Sequence, residues 1–141
     1  MHYIRINIHE YCLRLERGEE IMQTIAIFCR QQKISSGQFQ GIGATNNLVI
    51  GVYNKKRKNY RYTTLKKSFE ITNLIGNISL LNNQPFLHAH INVSDDSLNV
   101  IGGHLKSAII SVTGEFFLTK YDKKFARQYD ETIGINLLRF K

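Results

Sequence analysis

The stretch Phe86-Leu87-His88-Ala89-His90-Ile91-Asn92-Val93 decides how this chain is read. Apolar residues alternate with others along it, and in an extended strand side chains two apart project to the same face. His88 and His90 therefore stand side by side on one face. Leu87, Ala89, Ile91 and Val93 take the opposite face, which reads as core. A turn-like Ser94-Asp95-Asp96-Ser97 follows, then Gly102-Gly103-His104-Leu105. A hairpin return over that distance brings His104 beside the pair. Three converging imidazoles with an open position form the set by which a protein holds a reactive zinc or similar ion. Neutral imidazole suits zinc, nickel, copper and iron alike, so the spacing leaves the element open. The competing reading is a polar strand face whose histidines bond to neighbours or sit at a subunit contact.

Upstream, Tyr3 to His9 and Tyr11 to Leu15 alternate as two short strands. Arg17-Gly18-Glu19-Glu20 opens a helix, with Gly18 at the cap and two glutamates in the first turn to complement the dipole. Ile21, Ile25, Phe28 and Cys29 recur at helical spacing and form one apolar stripe to about Gln32. The pattern then returns to strands: Leu48 to Tyr53, Tyr60 to Leu65, Phe69 to Leu80, 86–93, 99–105, 107–119 and 133–140. Asn82-Asn83-Gln84-Pro85 is a turn. One helix with about eight strands predicts an α+β fold with a curled antiparallel central sheet, or an incomplete barrel, and the helix packed against it.

The chain has 141 residues, 43% hydrophobic, with a single proline, which suits one folded domain over 1–141 and excludes a disordered chain. Cys12 and Cys29 are isolated, so neither a disulfide framework nor a cysteine zinc knuckle is indicated. Met1-His2-Tyr3-Ile4-Arg5-Ile6 lacks the basic-then-apolar pattern of a secretory leader, and no apolar run approaches the roughly 18 residues of a membrane span. The expected setting is the cytoplasm, without a membrane partner.

The formal net charge is +8, and much of the excess is local. Lys55, Lys56, Arg57, Lys58 and Arg61 cluster with Tyr60 and Tyr62 between two apolar segments. A solvated hairpin loop explains that cluster, and a phosphate-contacting patch with tyrosines for stacking is the functional alternative. Glu70 and Glu115 are carboxylates inside strand patterns. They face solvent, or serve a metal site as a further ligand, a partner to an imidazole or an acid/base group. Gly41, Gly43 and Ala44 suit a tight bend forming a cleft wall better than a nucleotide fingerprint, since no Walker Lys-Ser/Thr follows.

Arg17-Gly18-Glu19-Glu20, Gly41-Ile42-Gly43-Ala44, Phe69-Glu70-Ile71 with Leu74 and Gly76, Phe86-Leu87-His88-Ala89-His90, Gly102-Gly103-His104-Leu105 and Glu115 occur in this order. Together they resemble the plants-and-prokaryotes-conserved (PPC) domain, over about Tyr3 to Tyr121. The resemblance implies an α+β fold, a homotrimer packed sheet edge to sheet edge, and zinc or another divalent transition metal on His88, His90 and His104. It also implies a fold-level kinship with acetolactate decarboxylase, which licenses only a suspicion of catalysis. The plant proteins of that family grip DNA through an Arg-Gly-Arg AT-hook, and this chain has none. The expected function is thus binding or transformation of a small ligand at a three-histidine metal site. The alternatives are a DNA-associated regulator using residues 55–67 and a trimeric protein-interaction module.

Overall fold

Side-chain alternation builds long strands here. In the computed structural model, which describes residues 1–140, the order is β1 (His2–Arg5), β2 (Glu10–Glu16), α1 (Ile21–Gln31), β3 (Gly37–Asn54), β4 (Asn59–Leu65), β5 (Phe69–Leu81), β6 (Gln84–Ser94), β7 (Val100–Lys120), β8 (Arg127–Asp130) and β9 (Ile135–Leu138). A seven-stranded antiparallel sheet has the order β1-β2-β7-β6-β5-β3-β4, and β7 pairs a second time with β3. The pairings β3–β5–β6–β7 therefore close on themselves, which is the expected curl carried to a ring. Strands β8 and β9 form a separate hairpin.

The helix buries Ile21, Ile25, Phe28 and Cys29, as its spacing predicts, and packs on β6 and β7. Phe28 meets the rings of Tyr3 and Tyr11 edge-on at 5.0 and 5.3 Å between centroids. Ala89, Ile91 and Val93 point into the same core. Each fully buried aromatic such as Phe28, Phe39 or Phe116 contributes about 1.5–3 kcal/mol of apolar transfer.

Several boundaries differ from the sequence pattern, each for a local reason. Strand β1 stops at Arg5 because the Asn7 side chain accepts from the backbone N–H groups of His9 and Glu10 and forces a turn. The helix cap is Glu20, not Gly18. Its carboxylate accepts from the N–H groups of Met22 (3.1 Å) and Gln23 (2.6 Å), and also from Ala108 N–H on β7 (3.0 Å). One side chain thus caps the helix and ties it to the sheet. Gly41 to Ala44 and Leu48 to Tyr53 are not a bend followed by a strand but parts of one strand, β3, with an irregular register between Gly41 and Gly43. Gly43 has φ +153°, and a Cβ there would lie 2.3 Å from the carbonyl oxygen of Thr113. Only glycine lets β7 pass so close. Likewise 99–105 and 107–119 join as the 21-residue β7.

Candidate metal centre

Strand alternation puts His88 and His90 on the outer face of β6, and the β6–β7 register sets His104 directly opposite His90. The rings converge. Their centroids are 5.3 Å (His88–His90), 5.1 Å (His88–His104) and 5.7 Å (His90–His104) apart. One nitrogen from each lies within 4.8 Å of the other two. A tetrahedral ion with metal–nitrogen bonds of about 2.0–2.1 Å sets its ligand nitrogens about 3.3 Å apart. The Nδ1 atom of His104 is buried with no hydrogen-bond partner among the described residues. A buried imidazole nitrogen left bare costs free energy that a metal bond would repay. The donor set therefore fits a divalent transition metal.

Electrostatics point the same way. Burial pushes His104 down to about 4, with His88 and His90 adding to the shift. His88 is lowered by burial first, then by the guanidinium of Arg127 and by His90. Both rings are thus kept neutral near pH 7, the form that ligates.

Aromatic residues hold His104 from the other side. Strand β4 pairs with β3, and Tyr60 and Tyr62, two apart, share a face. Tyr60 lies stacked on His104, centroids 4.3 Å and planes 27° apart, and Tyr62 stacks on Tyr60 at 5.5 Å. Gly51, opposite both His104 and Tyr62, leaves the space that the Tyr62 ring occupies, since a Cβ there would sit 2.7 Å from it. Lys106 lies over the outer face of Tyr62, 4.7 Å from its centroid. The tyrosines expected to interleave a phosphate-contacting patch thus belong to the histidine site.

The β8–β9 hairpin is anchored on both sides of the histidine strands. At one end Arg127 donates from Nε to Ser79 Oγ (2.8 Å), from Nη1 to the Asn136 carbonyl (2.9 Å) and from Nη2 to Asn77 Oδ1 (2.9 Å). Its guanidinium also lies over Phe86, 4.8 Å from the ring centroid. At the other end the Tyr53 hydroxyl donates to the Ile133 carbonyl, and Lys58 Nζ to that of Glu131. A cavity of about 420 Å³ beside the histidines is lined by Gln38, Ile75, Asn77, His88, His90 and Tyr121, among others.

Glu70 and Glu115 lie elsewhere. With Ile42, Gly43, Ala44 and Val112 they line a second cavity of about 560 Å³, which none of the three histidines lines. Gly41 does not line it and is paired with Leu74 and Phe116. Lys55, Lys56, Arg57 and Lys58 are exposed at the β3–β4 turn, and Arg61 is exposed on β4. Burial pushes the Cys29 thiol up to about 12, which removes it as a nucleophile. No helix of the described residues is long and apolar enough to cross a membrane. The residues that spacing missed are Tyr60, Asn77 and Arg127. The period-two placement of Tyr60 and Tyr62 was a usable signal, whereas nothing local marks Arg127.

Over nearly its whole length the chain is similar to known proteins. The family model of the Plants and Prokaryotes Conserved (PCC) domain matches residues 7–122. Among solved structures, a putative DNA-binding protein from Bacteroides thetaiotaomicron is 36% identical, with 99% of this chain and 96% of that one covered and a TM-score of 0.95. A metal-containing protein from Archaeoglobus fulgidus is 32% identical, with 93% of each chain covered and a TM-score of 0.86. A plant- and prokaryote-conserved protein from Pyrococcus horikoshii is 32% identical, covering 94% of this chain and 92% of its own, with a TM-score of 0.87. None of the curated proteins compared with the chain matches it.

Proposed function

The chain belongs to the Plants and Prokaryotes Conserved domain family, and from that premise we propose that it binds a divalent transition metal, zinc foremost, on His88, His90 and His104 and holds a small ligand beside it. The observation that carries this reading is the convergence of three imidazole nitrogens within 4.8 Å, one of them on the ring whose buried Nδ1 has no partner. The metal-containing relative from Archaeoglobus fulgidus supports it. Bound there, the ion supplies a Lewis acid that polarises a carbonyl or activates water. Tyr60 holds the His104 ring in place, the β6 pleat fixes His88 and His90, and Ile75 and Tyr121 give the adjoining cavity apolar walls. The suspected kinship with acetolactate decarboxylase is the reason to assay turnover as well as binding.

The working unit is a homotrimer in this reading. Ile75 and Phe117 flank Gln40 across three neighbouring strands, with Ile42 beyond it, and the three apolar side chains are 53%, 54% and 57% exposed respectively. An apolar face of that kind supports burial against a second copy.

The test is metal analysis of the purified protein. One transition metal per chain, lost in His88→Ala/His90→Ala with the fold retained, is the expected result. No stoichiometric metal, or unchanged content in the double variant, would sink the reading.

A second reading is association with DNA through Lys55, Lys56, Arg57, Lys58 and Arg61. It is supported by their exposure and by the description of the Bacteroides relative. Affinity for duplex DNA should then fall by roughly 0.9 log units per neutralised phosphate for each tenfold rise in salt. Absent or salt-independent binding removes this reading.

A further inference from the structure

We propose that two adjoining cavities at the C-terminal end of the helix bind a phosphate ester with an aromatic body, of the nucleoside phosphate kind. No histidine lines either cavity, so the inference stands apart from the metal reading. The first, of about 510 Å³, is lined by Arg30, Lys33 and Lys124 with Ile34, Leu80 and Pro85, among others. The second, of about 370 Å³, is lined by Lys123, Lys124 and Arg139 with Phe125, Ala126 and Phe140. Lys124 lines both, so the two meet there, and their sizes suit a small molecule. Their walls come from segments far apart in sequence, and hydrogen bonds fix each segment. Ser36, fully buried, donates from Oγ to the Lys123 carbonyl (2.5 Å), and Tyr121 N–H donates to the Ser36 carbonyl (2.9 Å). Those bonds tie residues 121–124 to the chain leaving the helix. Leu80 N–H donates to the Phe125 carbonyl (2.8 Å), and Arg139 N–H to that of Ala126 (2.9 Å).

Charge and shape select the ligand. Among the described residues, every charged side chain lining the two cavities is a cation, and none of these cations takes part in an ion pair. The helix end does not occupy them either. The carbonyls of Phe28, Cys29 and Arg30 already accept from the N–H groups of Gln32, Ile34 and Lys33, so the side chains of Arg30 and Lys33 are not needed as caps. Like charges gathered without a counter-charge repel one another, and a bound anion relieves that repulsion. Arg30, Lys33 and Lys124 around one cavity exceed what a single carboxylate balances, whereas a phosphate ester carries about −1.5 to −2. Ser35, Asn83 and Gln84 add neutral polar groups to the same wall. In the second cavity Phe125 is half-buried and Phe140 is 77% exposed. Such rings beside Lys123 and Arg139 offer faces on which a base stacks whatever its identity.

Calorimetric titration with ADP, adenosine, pyrophosphate and decathymidylate tests this, in wild type, Lys124→Ala and Phe140→Ala. Expected is one ADP per chain, with adenosine bound roughly 10-fold more weakly or worse. K124A should weaken ADP and pyrophosphate alike, roughly 10- to 100-fold. F140A should weaken ADP roughly 5- to 100-fold, the worth of one stacked base, and leave pyrophosphate unchanged. Wild type dialysed against EDTA should bind ADP as before, which separates this site from the histidines. No ADP binding by wild type, or binding that either K124A or F140A leaves untouched, overturns the proposal while the metal reading stands. Loss of ADP binding on dialysis places the phosphates at the metal and overturns it too. Decathymidylate bound more tightly than ADP, with the same loss in K124A, overturns it in favour of a path for single-stranded nucleic acid. Should K124A or F140A fail to fold, Lys33→Ala or Phe140→Leu decides by the same comparison.

Discussion

Tyr60 lies flat against His104, ring centroids 4.3 Å and planes 27° apart, so the histidine whose buried Nδ1 has no partner among the described residues is held by an aromatic wall from another strand. Packing of that kind sets a ligand's orientation before any metal arrives.

Tyr60→Ala should therefore free the His104 ring and weaken metal binding roughly 10-fold, within the range typical of residues that orient ligands. Tyr60→Phe keeps the ring and should stay within about twofold. Competition with a chromophoric chelator measures both; equal loss in the two variants would mean that the hydroxyl, not the stacking, matters.

The pH dependence of the metal-free protein follows from His104. Its value of about 4 lies below the ordinary 6.5, so the unfolded chain binds the proton more readily than the folded one. The contribution is intact above about pH 6.5 and is lost as the pH falls toward 4. His104 is only half-buried, so screening reduces the effect to about 1 kcal/mol. Urea unfolding at pH 7 and pH 5 should show this loss in wild type and a smaller one in His104→Gln.

Glu20→Ala removes a helix cap and the acceptor for Ala108 N–H at a single stroke. A loss of about 1–2 kcal/mol is expected. Glu20→Gln, which keeps one carbonyl acceptor, should recover part of it. Thermal unfolding of the two variants provides the comparison.

Glu70→Gln and Glu115→Gln should leave metal stoichiometry unchanged. Both carboxylates line the cavity beside Gly43 and Ala44, which the histidines do not line. Elemental analysis of each variant decides the point, and loss of metal from either would place that carboxylate at the metal.

Much of this was legible in the residues. The alternation of 86–93 fixes which side of β6 faces the core, because a strand has a period of two and no freedom to split its apolar set. The stripe of Ile21, Ile25, Phe28 and Cys29 specifies the buried face of the helix for the same kind of reason. The helix start was less legible, since Gly18, Glu19 and Glu20 all suit a first turn. Only the position of Ala108 N–H, brought in from β7, gives the Glu20 carboxylate its additional partner.

Local pattern by itself determined most of the strand segments, the helix and the pairing of His88 with His90, because those depend on neighbours within a few residues. Where strands stop or join, as in β1, β3 and β7, did not follow from it, nor did the short β8. The arrival of His104 opposite His90 was nearly as local, a single turn away. Tertiary structure alone decided the surroundings of that triad. Tyr60 enters because β7 pairs with β3 as well as β6, and Arg127 because the last hairpin anchors on β5, on β3 and on the β3–β4 turn. Glu70 and Glu115 end in the other cavity because the registers with β3 set them beside Ala44 and Ile42. Contacts between residues tens of positions apart depend on how the ring of strands closes, and no short window of sequence carries that information.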